Sequence, residues 1–402
     1  MIIDKKILSV SLLFTVVISF YGNFSFRALF VWLPSFIFIL LSFFFVIINA
    51  KVSKDVLNNI FINSFWLIFS LFMSFSVLSP EIHLKAILET LLYYLFFVSL
   101  LSALPKRKDS IFKMLLLSAN IFTVASVFIF VYQSVFVPNF SFTAFSGFHS
   151  NRNTFALVCL IFLTIYTNCP RDIRGRNIDS IRFIIVFSLS VLILVTGSTK
   201  GVLGLVVIIM VNLIIKYGIK RGVPYLLLIS ALLVVGLSVF NDSMARIENK
   251  VDAIVTFDNN YDENNIGNDS GKVRVFLAYN AYDIFLDNFY TGVGVNNGQY
   301  YLTVPVSFRN SMDSINSQNN ITEMLLNGGV VGFLLYYAPI LFLLIKLILL
   351  KRKSFVEIII ITLLIIKLSL DTGMKSYNDA SHEFILVLSW FLYFKFTSEK
   401  LK

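Results

Sequence analysis

The sequence predicts an all-α polytopic integral membrane protein of about twelve transmembrane helices, with one long outer (periplasmic) loop. Composition comes first. Over 402 residues the chain is 57% hydrophobic and only 14% charged, whereas soluble domains carry about 25% charged and 45–50% apolar residues. The order of the residues is the second observation: apolar ones come in runs, separated by short polar segments. The third is the distribution of Lys and Arg along those segments.

A membrane helix needs about 20 apolar residues, fewer where neighbours shield its ends. Runs that meet this lie near 7–21, 28–49, 59–77, 86–104, 111–136 and 154–167 in the first half. The second half adds 183–197, 202–216, 223–240, 324–350, 354–370 and 384–396. The runs at 154–167 and 202–216 are the weakest span candidates of the twelve. Lys5 and Lys6 precede the first run as in a signal peptide, but no small-residue cleavage site comes after it, so it reads as a retained span. Forty-three Phe and 17 Tyr supply lipid-facing and interfacial surface.

With the amino terminus inside, twenty basic residues fall on inner segments against ten on outer ones, although the outer side holds the longest loop. This is the positive-inside pattern, so both termini are expected to be cytoplasmic, with the long loop facing out. The same distribution accounts for the net charge of +10 without nucleic acid as a partner. Cys159 and Cys169 are too few for a disulfide framework and are expected as free thiols.

Residues 1–402 read as a single membrane domain, without an internal repeat. Asn241 to Asn320 is the one long polar stretch, and with the turn up to Glu323 it forms an outer elaboration at 241–323. Asp242 to Gly271 is rich in Asn and Asp and reads as irregular. Near 273–289, Val273, Phe276, Leu277, Tyr279, Ala281, Ile284, Phe285 and Phe289 recur at near-helical spacing. That predicts an amphipathic helix on the membrane surface, ended by Thr291-Gly292-Val-Gly294; Pro305 breaks the next stretch of chain.

Phosphate loops, H-E-x-x-H and Cys-x-x-Cys pairs are absent from the sequence. The outer charges are sparse, basic and placed at loop ends. Arg152 lies in Gly147-Phe-His149-Ser-Asn151-Arg152-Asn153, Lys200 in Thr196-Gly197-Ser198-Thr-Lys200-Gly201, and Arg274 opens the amphipathic helix. A guanidinium fork suits phosphate oxygens, and a charge-assisted bond contributes about 1.5–3 kcal/mol. Three cations converging at one face would suit a lipid-linked diphosphate. Each taken alone serves equally well as an anchor to lipid headgroups. His149 stands three residues from Arg152, the closest of the histidines His83, His149 and His382 to such a site. Lys367, inside the eleventh span, is either functional or paired, with Asp371 one turn on as the partner. Glu323 at the start of the tenth span complements the helix dipole; the same position would aim it at an acceptor hydroxyl as a general base.

These motifs resemble the O-antigen polymerase (Wzy-type) and O-antigen ligase superfamily. The loop through Asn153-Thr-Phe-Ala is similar to its "G…N-x-x-A" element, and Thr196 to Gly201 to its "T-G-S-R/K-G" turn. Lys272-Val-Arg274 through Gly292-Val-Gly294 is similar to its "R…aromatic…n-P-x-x-G-x-G" stretch. Ser317-Gln318-Asn319-Asn320-Ile-Thr-Glu323 through Gly332 is similar to "S-H-N-x-x-x-E-x-x-x-x-x-G-x-x-G". Four such matches in order cover about residues 140–340.

The resemblance implies a GT-C-like membrane glycosyltransferase, without a metal or nucleotide-sugar cofactor, acting on an undecaprenyl-diphosphate-linked oligosaccharide. Membrane lipids and a chain-length regulator protein are the other partners it implies. Carried over by position, Arg274, Glu323 and His149 would be catalytic. Arg152, Asn153, Lys200, Asn319 and Asn320 would bind substrate. One position departs: where ligases place a histidine, this chain has Gln318, and an amide is no base at neutral pH. That favours the polymerase over the ligase, which joins glycan to lipid A-core. A polysaccharide flippase or exporter without chemistry is the reading from another class, although flippases carry their cations deep in a central cavity. A small-solute transporter would show paired broken helices in two halves, and no such pairing is visible.

Overall fold

A computed structural model describes residues 54–102, 107–137, 145–147, 151–218, 224, 270–303, 316–377 and 379–396. Nearly all of these are helical, with no strand among the described residues. In chain order the helices are α1 (Lys54–Phe72), α2 (Pro80–Ser102), α3 (Lys108–Phe136), α4 (Arg152–Asn168) and α5 (Arg171–Val195). Next come α6 (Thr199–Tyr217), α7 (Ser270–Asp287), α8 (Asn320–Ile348), α9 (Phe355–Asp371) and α10 (Ala380–Phe396). Short 3-10 turns lie after α1 at Met73–Phe75 and after α7 at Asn297–Tyr300.

Among the described residues, three stretches are long and apolar enough to cross a membrane by length and composition: Leu57–Phe75, Lys108–Phe136 and Asn320–Ile348. The expected spans at 7–21, 28–49 and 223–240 lie outside the described residues, as do His149, Pro305 and most of the stretch from Asp242 to Gly271. The other nine runs each fall on a helix.

Local sequence sets where helices begin. Asn151, Ser198 and Asn319 cap α4, α6 and α8 by accepting main-chain N–H bonds from Asn153, Gly201 and Ile321. Ser354 and Glu357 form a reciprocal capping box at the start of α9. Helix α4 is buried continuously from Thr154 to Tyr166, apolar on every side. A helix so enclosed belongs at the centre of a bundle, and its neighbours α3, α5, α6 and α9 surround it. This explains how so short a run is kept as a helix. Helix α9 is the other central element, packed on α4, α6, α8 and α10.

The described helices alternate in direction, as the basic pattern requires. At one end, Lys108 at the start of α3 lies 4.3 Å over the ring of Phe355 at the start of α9. Phe112 there packs on Phe355 and on Phe396 at the end of α10. At the other end the N-termini of α2, α4, α6, α8 and α10 gather with the C-terminus of α9. Ser198 donates to Asn153 (2.7 Å), and Ser79 N–H to Asn297 (2.8 Å). This second group is the Glu323 end of the bundle.

The surface helix α7 forms, with one correction. Its buried stripe is Val273, Leu277, Ala281 and Phe285, a strict i, i+4 row facing α8. Tyr279 is instead exposed, at 41%, because it lies off that row, and Phe289, at 43%, because α7 ends at Asp287, before it. Cys159 and Cys169 are free, and both are buried. Burial pushes the Cys169 thiol up to about 12, so it resists thiol reagents on either side of a membrane and cannot report sidedness. In a cysteine-free background, Asp172→Cys and Asp287→Cys, both exposed positions, serve instead. An impermeant maleimide applied to intact spheroplasts is expected to label Asp287→Cys and spare Asp172→Cys. Labelling in the reverse pattern would overturn the sidedness.

Candidate active site at the Glu323 end

Helix α8 is broken in its third turn. Gly329 has φ 60° and ψ −167°, a region essentially open to glycine alone. The break frees main-chain groups on both sides, and the segment after α7 takes them up. Val293 N–H donates to the Leu326 carbonyl (2.9 Å) and Gly294 N–H to the Asn327 carbonyl (2.8 Å). In return Val330 N–H donates to Phe289 O (2.8 Å) and Val331 N–H to Tyr290 O (3.2 Å). The strap from Asn288 to Gly294 is thus woven into the break. Gly292 (φ 65°) and Gly329 stand back to back: a Cβ on Gly292 would meet Gly329 N and the main chain of Leu326 and Asn327. A Cβ on Gly329 would meet the main chain of Tyr290 and Thr291. The two glycine motifs of the sequence are therefore two halves of one joint.

On the short half-helix before this joint sits Glu323, 1% exposed. Its Oε2 accepts from Ser317 N–H (2.7 Å) and its Oε1 from the Asn327 side-chain amide (2.9 Å). The Lys375 ammonium lies 3.7 Å from Oε1 and donates to Asn296 Oδ1. It also stands 4.8 Å from the Tyr377 ring centroid. Burial pushes the Lys375 ammonium down from its ordinary range, with Glu323 opposing that shift. Tyr377 donates to Asn296 Oδ1 (2.9 Å), and burial raises its phenol. Three segments distant in sequence, 288–303, 316–328 and 372–379, are locked here through Asn296, Asn327 and Tyr377.

Asn319 and Asn320 do different work. Asn319 is the cap of α8. Asn320 is buried and accepts from the main-chain N–H of Ser376 (2.7 Å) and Tyr377 (2.9 Å) while donating to Tyr337 (2.9 Å). Tyr337 in turn donates to Asp371 (2.9 Å), which accepts two bonds from the buried Lys367 ammonium at 2.7 and 2.8 Å, the third going to Ser376 (2.8 Å). Lys367 and Asp371 are thus a pair at i, i+4, the second of the two roles considered for Lys367. Gln318, just before the cap, has φ 56°, an uncommon conformation for a residue with a side chain.

The helix starts that carry two of the expected cations, those of α4 and α6, come together. Arg152 and Asn153 open α4, and Asn153 accepts from Ser198, the cap of α6, which carries Lys200. The Lys200 Cε lies 3.7 Å from where a Cβ on Gly373 would be, so it reaches the same 372–379 loop as Lys375. Arg274 lies in the second turn of α7, the helix packed against α8. It is half-buried and makes no hydrogen bond or ion pair among the described residues. Burial alone pushes its guanidinium below the usual range. Sequence reasoning missed Lys375, Asn296, Asn327 and Tyr377. Lys375 counted only as an outer charge, and the partners that make it part of a site lie about 50 to 80 residues away.

The protein is thus a helical, membrane-type bundle whose broken helix carries a buried carboxylate beside Lys375, with several helix N-termini gathered at the same end. Residues 184–337 match the O-antigen ligase family, Wzy_C. The match covers less than half of the chain, which is similar to this family there, and it is consistent with the O-antigen polymerase and ligase superfamily. The match takes in Lys200, Arg274, the strap, Glu323 and the Gly329 break; Arg152 and Lys375 fall outside it. A comparison with curated proteins finds no match.

Proposed function

We propose that this protein is a surface-polysaccharide polymerase. It transfers a growing glycan from undecaprenyl diphosphate onto the terminal sugar of a lipid-linked repeat unit, with the Glu323 end at the outer face of the inner membrane. The observation that carries the choice of polymerase is Gln318. It occupies the turn before the cap of α8, where the ligase pattern has a base, and an amide cannot take a proton there. Arg274 binds the leaving diphosphate, and Arg152 and Lys200 form the second basic edge of the site. Asn153 joins the starts of α4 and α6, Asn319 caps α8, and Asn320, fully buried, holds Ser376 and Tyr377 against α8 rather than meeting substrate. The family description favours the ligase as the second reading, in which the glycan would go to lipid A-core.

The decisive experiment gives purified protein the lipid-linked repeat unit alone and reads the product on a ladder gel. A ladder is the polymerase result; no ladder, with transfer only after lipid A-core is added, is the ligase result. Two variants sharpen it. Gln318→Ala is expected to retain at least part of the chain extension, and Gln318→His to gain no transfer to lipid A-core. Loss of the ladder in a folded Gln318→Ala protein would contradict the reading of Gln318 as a bystander.

A further inference from the structure

Transfer to a sugar hydroxyl, the proposed reaction on which this inference rests, needs a base within hydrogen-bond reach of that hydroxyl. Around the Glu323 end most acids and histidines are committed or sealed. Glu323 has both oxygens bonded and is 1% exposed. Asp371 is closed in its pair with Lys367. The ring nitrogens of His83 face the carbonyls of Val295 and Ser70. His382 and Glu383 are 1% and 0% exposed, out of a substrate's reach. Asp379 caps α10 by accepting from Ser381 and His382 N–H.

Glu89 differs from all of these. It lies on α2, about two and a half turns in from Pro80 at the Glu323 end, on one stripe with Lys85 and Tyr93. Its carboxylate is half-buried and makes no hydrogen bond or ion pair among the described residues. The charges that act on it are those of Lys85 and Lys375. Tyr93, one turn further, is acted on by both Glu89 and Asp379, so this stripe faces the 372–379 loop. A carboxylate left unbonded in an apolar span costs free energy, and such residues mark substrate paths. Two carboxylates thus feel the charge of Lys375, Glu323 sealed at 1% exposure and Glu89 half-buried and unbonded.

We infer that Glu89 is the general base of glycan transfer. Its carboxylate accepts the proton of the acceptor hydroxyl as the acceptor oxygen bonds to the anomeric carbon of the chain. The bond from that carbon to the lipid diphosphate breaks, its electron pair leaving with the diphosphate, and the proton passes from Glu89 to water. Lys375 is a positioning residue, favouring the ionised carboxylate at the mouth of the site.

Two measurements on the full-length protein test this. Dicyclohexylcarbodiimide, which seeks carboxyls in apolar surroundings, should modify Glu89 but not Glu323, with the site mapped by mass spectrometry. Glu89→Gln should lower turnover at least about 100-fold, with KM for the repeat unit within about twofold, and Glu89→Asp should recover part of it. Asp379→Asn should lower the melting temperature yet keep measurable turnover. Wild-type turnover in Glu89→Gln, or no modification of Glu89, overturns the inference. So does a loss shared by Glu89→Gln and Glu89→Asp in step with their melting temperatures. A wild-type protein that is modified at Glu89 but makes no ladder sinks the polymerase reading and the base with it. A wild-type ladder with an active Glu89→Gln sinks the base alone.

Discussion

Arg274→Ala is expected to abolish chain extension at unchanged membrane abundance, the largest effect of any single cation at the site. Arg274 is half-buried on α7, and no carboxylate among the described residues offsets the cost of that burial. A guanidinium held out of water without a counter-ion is ready for an anionic ligand. Charge developing on a leaving diphosphate would meet it, and one well-placed donor of this kind contributes about 2.7–4 kcal/mol to a transition state. Lysine keeps the charge and loses the two-pronged geometry, so Arg274→Lys should give an intermediate ladder. If Arg274 only anchors α7 to lipid headgroups, lysine would be nearly silent and alanine mild. Glycan ladders of both variants, with membrane abundance as control, separate the two; a normal ladder from Arg274→Ala would sink the diphosphate assignment.

Gly329→Ala and Gly292→Ala are each expected to lose most of the folded protein. At Gly329 the strain of holding a side chain at φ 60°, ψ −167° costs about 1–3 kcal/mol. Its Cβ would also press on the main chain of Tyr290 and Thr291, and overpacking of this kind adds about 1–3 kcal/mol. Main chain cannot swing away as a side chain can. The check is a melting curve of the protein in detergent. Gly218→Ala is the control: it also has positive φ, 74°, but a Cβ there meets nothing within 4 Å. Gly218 carries the same kind of backbone strain (ψ 165°), so a larger fall for Gly329→Ala than for Gly218→Ala assigns the excess to the joint. Equal, small falls in both would show that the strap can pull back from the break.

Particular residues show what the sequence could and could not reveal. Lys367 and Asp371 sit four apart on one apolar run, so their pairing was legible from helix geometry alone. Glu323 was legible as a first-turn carboxylate, and the order of motifs pointed to one end of the bundle. What spacing could not carry was contact across the chain. Asn296 meets Lys375 and Tyr377 about 80 residues away, and Gly292 meets Gly329 through main-chain atoms that leave no pattern in side-chain chemistry. The same limit hid the break in α8. An unbroken apolar run from Met324 reads as a single helix, and Gly328-Gly329 inside it does not say that another segment will be laced through. The error on α7 was of another kind: Tyr279 is two residues from Leu277, and a loosely helical count admitted it to a face that a strict i, i+4 row excludes.

The pair on α9 bears on how the protein is made. A lone lysine at the centre of a span adds about 2.5–3.5 kcal/mol to the free energy of entering the bilayer, and aspartate a similar amount. Lys367 and Asp371, 2.7 Å apart on the same helix, can neutralise one another before any other span arrives. Helix α9 can thus leave the insertion machinery as a nearly neutral rod. Tyr337 and Ser376 need only join the pair later, as the helices assemble. Separating the two charges onto different helices would ask the nascent chain to bury each of them alone.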